Sequence, residues 1–207
     1  MGSILGPYSV LTVRECIMRD DVNDLIVVAG YMSAWWGRNA QVKYVSEVVK
    51  SDDDIAILKL EKKFTFGRTV RPIRLSHEQV TEPHTIYGAM YATVGFVRAP
   101  WDVPGEPMPK NSFYEIKYAT LMEGASKKNC SEIYKDVPVN ETTMFCTYAN
   151  ATYCWGNLGS PTVVLFNEQL VQMGIVVRAY CDERYNPNLH KRIDSLEGWI
   201  RSNSEAV

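Results

Sequence analysis

The stretch that constrains this chain most is Tyr153-Cys154-Trp155-Gly156-Asn157-Leu158-Gly159-Ser160-Pro161. Its glycines and closing proline punctuate a loop. Residues 162–166, Thr-Val-Val-Leu-Phe, follow it and read as a half-buried strand. A polar turn at Asn167-Glu168-Gln169 then leads into a second apolar run at residues 170–177. Any fold for the chain must place this loop at the head of two successive strands.

The composition is that of an ordinary globular chain. Its 207 residues suffice for one domain with a substantial core. Hydrophobic residues make up 46% and charged residues 22%, and the formal net charge is −2. Neither nucleic acid nor a membrane is expected as a partner from this balance. No apolar run approaches the ~20 residues that span a bilayer, and no signal peptide opens the chain. Met1-Gly2 is followed by Gly6 where a myristoylation signal has Ser or Thr.

The five cysteines, Cys16, Cys130, Cys146, Cys154 and Cys181, show no CxxC and no zinc-ligand spacing. No metal or cofactor is expected. Glycosylation sequons begin at Asn129, Asn140 and Asn150. Together with the cysteines they favour a secreted glycoprotein. An odd cysteine in such a chain, with no signal peptide, suggests that the natural chain begins upstream of Met1.

Taken in order, the chain is a succession of short strand signals. Residues 2–5 meet a turn at Gly6-Pro7, and residues 9–16 follow. Residues 25–29 form a β-branched run closed by Gly30. Residues 42–49 alternate imperfectly, and Asp54-Ile55-Ala56-Ile57-Leu58-Lys59-Leu60 is a further apolar run. Residues 81–87 read as a connection, residues 92–97 and 112–121 as strands, and residues 98–111 as a proline-containing loop. Residues 129–134 suggest a short helical turn. Near the end, Asp194 is a plausible N-cap for a helix with Leu196, Trp199 and Ile200 on one face.

These blocks, in this order, resemble the trypsin/chymotrypsin-like serine proteases. That family writes its nucleophile loop Cys-x-Gly-Asp-Ser-Gly-Gly-Pro, where this chain has residues 154–161. Its Val-Leu-Thr-Ala-Ala-His-Cys resembles Val10-Leu11-Thr12-Val13-Arg14-Glu15-Cys16. Its Asp-Ile-Ala-Leu-Leu-Lys-Leu resembles residues 54–60, and its Val-x-Pro-Ile-x-Leu resembles residues 70–75. Met144-Phe145-Cys146 and Gly174-Ile175-Val176-Val177 fit two later blocks. The resemblance implies an all-β fold of two antiparallel six-stranded barrels with a C-terminal helix. Residues 1–80 would form the first barrel, N-terminally incomplete, residues 81–193 the second, and residues 194–207 the helix and tail. It also implies disulfides Cys130–Cys146 and Cys154–Cys181, with Cys16 unpaired.

The departures from the family bear on chemistry. In a Ser-His-Asp triad a hydroxyl attacks, an imidazole takes its proton and a carboxylate orients the imidazole. The three positions read Leu158, Glu15 and Asp54. Leucine has no atom that can act as a nucleophile. Asp54, with no imidazole to hold, is expected to satisfy backbone donors, and Glu15 to turn toward Arg14 or solvent. A Glu15–Asp54 pair of glycosidase type has nothing else in the sequence to support it. Ser160 replaces a family glycine and is read as a packing residue. The histidines, His77 and His84 in the connection and His190 beyond, read as solvated surface groups.

Gly156 and Leu158 hold the oxyanion-hole positions, but Asn157 replaces the Asp whose ion pair orders that loop. The floor of the specificity pocket would be Thr152. The segment that pairs with substrate backbone reads Val177-Arg178-Ala179, and Asn188 replaces a pocket glycine. Ala179 and Asn188 are expected to narrow or close the pocket. The expectation is a secreted, catalytically inactive homologue that binds a protein partner, as cofactor, decoy or regulator of proteolysis. The alternative is a serine endopeptidase-type hydrolase with a degenerate or rearranged site.

Overall fold

The computed structural model describes residues 1–17, 22, 25–30, 40–77, 86–90, 118–124, 127–140, 142–149, 158–179 and 188–206. They form two β-sheets and a short C-terminal helix. The first sheet contains β1 (Ser3–Gly6), β2 (Ser9–Val13), β3 (Ile26–Ala29), β4 (Gln41–Lys50) and β5 (Ile55–Leu60). Its order is β1-β2-β5-β4-β3, antiparallel throughout. The second contains β6 (Arg74–Leu75), β7 (Ile86–Met90), β8 (Tyr118–Gly124), β9 (Met144–Ala149), β10 (Pro161–Phe166), β11 (Gln169–Arg178) and β12 (Asn188–Arg192).

The second sheet runs β10-β7-β8-β9-β12-β11-β6, and β10 also pairs with β11. That extra pairing joins all of these strands except β6 into a ring. β6 lies parallel to β11, with Arg74 opposite Val171 and Leu75 opposite Gln172. The expected first barrel is, among the described residues, an open five-stranded sheet. Ile86 and Tyr87, read as part of a connection, already belong to β7, which is paired on both sides by β8 and β10.

The strand period explains why β2 and β5 are apolar at successive positions. Leu11, Val13, Ile55 and Ile57 face the core between the two sheets, while Val10 and Leu60 face the core of the first sheet. A strand buried on both faces has no solvent side to mark with polar residues. The core between the sheets also takes Leu75, Ile175, Val177, Leu189, Ile193 and Ile200. Each such aliphatic side chain contributes about 1.5–3 kcal/mol on full burial. In β4 the register shifts between Val45 and Glu47, which accounts for its imperfect alternation.

The β10–β11 hairpin turns at Asn167 and Glu168, with φ of 47° and 62°. Two central residues at positive φ match the right-handed twist of the strands they join. α1 (Lys127–Ile133) carries Cys130. α2 (Glu197–Asn203) follows a 3₁₀ turn at Asp194–Leu196, and Leu196 and Ile200 are buried as expected. Asp194 does not cap α2. Its carboxylate instead accepts from Arg192 Nε and Nη2, at 3.0 and 2.8 Å.

Candidate active-site cleft

The residues expected at the triad positions lie near where the two sheets join. β2 ends at Val13, opposite Ile55 at the start of β5. One 3₁₀ turn, Arg14–Cys16, follows β2, and the Arg14 N–H donates to the Asp54 carbonyl at 3.0 Å. The next contact reaches the second sheet: the Cys16 thiol donates to the Leu158 carbonyl at 3.3 Å. Glu15, Asp54 and Leu158 are therefore held by hydrogen bonds made by themselves or their immediate neighbours.

The polar contacts differ from those expected. Glu15 is exposed, as expected, but its carboxylate pairs with Arg178 rather than with Arg14. Its Oε2 accepts from Arg178 Nη1 at 2.8 Å, across the two sheets, with both side chains 46% exposed. Arg14 Nη1 instead donates to the Ser51 carbonyl at 3.4 Å. The Asp54 carboxylate has no hydrogen-bond partner among the described residues; its main-chain carbonyl makes the contact with Arg14. Asp54 itself sits at φ 64°. Beside it, Asp53 accepts from Lys191 Nζ of β12 at 2.9 Å, a second ion pair between the sheets.

Leu158 is half-buried and packs on the core between the sheets. Gly159 has φ +81°, and a Cβ there would lie 2.3 Å from the Met1 carbonyl oxygen and 2.8 Å from Thr12 Oγ1. Only glycine fits such a position. The Gly159 N–H donates to Val176 O at 2.9 Å, and the Val176 N–H returns to Ser160 O at 3.0 Å. Ser160 is fully buried, and among the described residues its hydroxyl has no hydrogen-bond partner, an imidazole included.

Of the pocket positions, Val177 is buried in the core between the sheets, Arg178 is exposed and Ala179 is half-buried. Asn188 is buried at the head of β12, opposite Thr147. Thr152, Cys154, Gly156, Asn157, Cys181 and Asn150 lie outside the described residues, as does His84. Cys130 and Cys146 are disulfide-bonded, tying α1 to β9, and Cys16 is a free thiol. Asn129 lies in α1. Asn140 is exposed, and its Oδ1 accepts from Thr142 N and Thr142 Oγ1 at 3.0 and 2.8 Å. Among the described residues no group of three or more His, Cys, Asp or Glu side chains is placed to hold a metal ion.

His190 overturns the expectation of surface histidines. It is fully buried, with Nε2 bonded to Thr147 Oγ1 at 2.7 Å and Nδ1 to Thr162 Oγ1 at 2.8 Å. The Phe145 ring stacks on it at 4.7 Å. A neutral imidazole donates from one nitrogen and accepts at the other, and a hydroxyl can take either role. Burial without a counter-charge lowers its pKa from 6.5 to about 3. No local sequence signal marks His190: β12 reads Asn-Leu-His-Lys-Arg, yet all five residues are buried. His77, by contrast, is an exposed residue beside Glu197 and Arg201.

Two β-sheets followed by a short C-terminal helix make an all-β, trypsin-like arrangement. The chain belongs to the trypsin family, whose model, described as Trypsin, matches residues 1–200. Hypodermin-B from Hypoderma lineatum is 28% identical over 216 residues, covering 99% of this chain and 77% of that protein. Trypsin 5G1 from Aedes aegypti is 24% identical over 209 residues, covering 97% and 73%. Serine protease 28 from Mus musculus is 21% identical over 211 residues, covering 96% and 75%.

Proposed function

We propose that this chain is a secreted, non-catalytic member of the trypsin family that acts by binding a protein partner, as a cofactor, decoy or regulator of proteolysis. The observation that carries this reading is the pairing of Glu15 with Arg178. At the base position stands a carboxylate already engaged by a cation, and Leu158 at the nucleophile position is half-buried and packs against the core. The buried Ser160 hydroxyl has no base bonded to it among the described residues. Asn188 and Val177 are buried side chains at positions where the family pocket admits substrate. The three sequons and the disulfide accord with an extracellular site of action.

The double variant Glu15→His with Leu158→Ser tests how far this goes. In an intact protease, loss of the triad leaves roughly 10³–10⁴-fold catalysis from oxyanion hole and binding, so surroundings and triad contribute separately. Here Arg178 and Asn188 alter the surroundings as well, so a scissile bond is not brought within ~3–3.5 Å of the new hydroxyl. Turnover of generic trypsin and chymotrypsin peptides by this variant is expected to stay at background. Turnover within about tenfold of an ordinary trypsin-like enzyme would show that the cleft is intact and only the two side chains are lost.

A further inference from the structure

We infer that the loop at residues 61–74, with the adjoining outward face of β4, is a docking surface for an acidic, partly apolar segment of a partner protein. The inference rests on the binding role proposed above and gives that role a surface and a partner chemistry.

The charge distribution points here first. The whole chain carries a formal charge of −2, yet residues 61–74 hold Lys62, Lys63, Arg68, Arg71 and Arg74 against a single carboxylate, Glu61. All six are exposed. Among the described residues none of the five cations is in an ion pair. Arg71 Nε donates to the Gly67 carbonyl at 2.9 Å, and Arg74 donates to the Gln169 side chain, both neutral acceptors. An uncompensated cationic surface on a net-negative chain attracts an anionic partner and speeds its encounter.

The loop is also held in one shape. Phe64 and Val70 are buried and anchor it in the core of the first sheet. The Gln41 side chain clasps Thr65 from both sides, donating to its carbonyl at 2.7 Å and accepting from its N–H at 2.9 Å. The Gly67 N–H donates to Val70 O at 2.9 Å. A pre-formed loop spends little entropy on binding.

Apolar side chains decide which kind of anion fits. Between the two anchors Phe66 is 40% exposed. The loop runs beside the start of β4, where the Glu61 N–H donates to Tyr44 O at 3.0 Å. Tyr44 and Val42 are both exposed on that strand, and Ile26, opposite Tyr44 in β3, is exposed beside them. A sulfated polysaccharide would use the cations and leave these side chains in water. A protein segment with carboxylates interleaved among aromatic or aliphatic residues would use both.

The probe is a fluorescein-labelled peptide repeating Glu-Glu-Phe-Glu-Leu, followed by anisotropy on the intact chain, with heparin as a competitor carrying charge alone. Wild-type protein is expected to bind the peptide, more weakly as salt rises. Lys62→Glu with Arg68→Glu should weaken it by about tenfold or more, and Phe66→Ala several-fold. All of these positions are exposed, so unchanged thermal melts are expected to show that the variants fold. Failure of the wild type to bind, or binding indifferent to both variants, would overturn the inference. So would a surface that takes heparin but not the peptide, with Phe66→Ala silent. Fluorophosphonate labelling of the same samples reports separately on the non-catalytic reading, because it does not depend on this loop.

Discussion

His190→Gln should flatten the dependence of stability on acid pH. In the folded chain the imidazole titrates at about 3, against 6.5 for the free group, because it is buried with only two hydroxyls as partners. Between these values the unfolded chain holds a proton on His190 that the folded chain does not. The unfolded state therefore gains as pH falls, and the stability present above pH 6.5 is lost progressively toward pH 3. Each pH unit in that window costs about 1.4 kcal/mol, and the whole window roughly 4–5 kcal/mol. This is comparable to the total stability of many domains, about 5–15 kcal/mol. Glu197, whose carboxyl is held below its usual value first by its hydrogen bond with Arg201, adds a loss only at lower pH, below 4.5. Among the described residues, the interval between about pH 6.5 and 5 thus belongs mainly to His190. Urea denaturation at several pH values, for wild type and variant, measures the two slopes. The variant should be less stable at neutral pH, having lost a satisfied buried group, yet nearly level across that interval. Parallel slopes for the two proteins would refute the reasoning.

Three further outcomes follow from other contacts. Gly159→Ala places a Cβ 2.3 Å from a main-chain oxygen at φ +81°, so thermal melting should show a loss of more than ~1 kcal/mol. Removing the Cys130–Cys146 disulfide as a Ser pair should cost about 2–4 kcal/mol. Non-reducing peptide mapping should recover that bridge with Cys16 alkylated, and a linkage of Cys16 to Cys130 or Cys146 would contradict the structure.

What the sequence made legible is what local pattern controls. Residues 54–60 and 162–177 read as strands because their apolar runs are bounded by turn residues, and both appear as β5, β10 and β11. The apolar face of Leu196 and Ile200 was likewise visible from its spacing. Contacts between distant segments were not. Glu15 and Arg178 are 163 residues apart, and no local rule pairs them. The parallel attachment of β6 to β11 is equally non-local. His190 was misread because a lone histidine looks polar, whereas Thr147 and Thr162, on two other strands, satisfy both of its nitrogens. At Asp194 the local cap signal lost to a two-pronged contact with Arg192.

The proposed function requires that no serine among the described residues at this junction is activated. Intact-mass spectrometry after treatment with a fluorophosphonate measures that directly, since the reagent adds covalently to an activated serine. Leu158 offers no nucleophilic oxygen, and the Ser160 hydroxyl is buried with no hydrogen-bonded base. The mass is therefore expected to stay that of the unmodified chain. A stoichiometric adduct that disappears in Ser160→Ala would contradict the account and show a rearranged catalytic site.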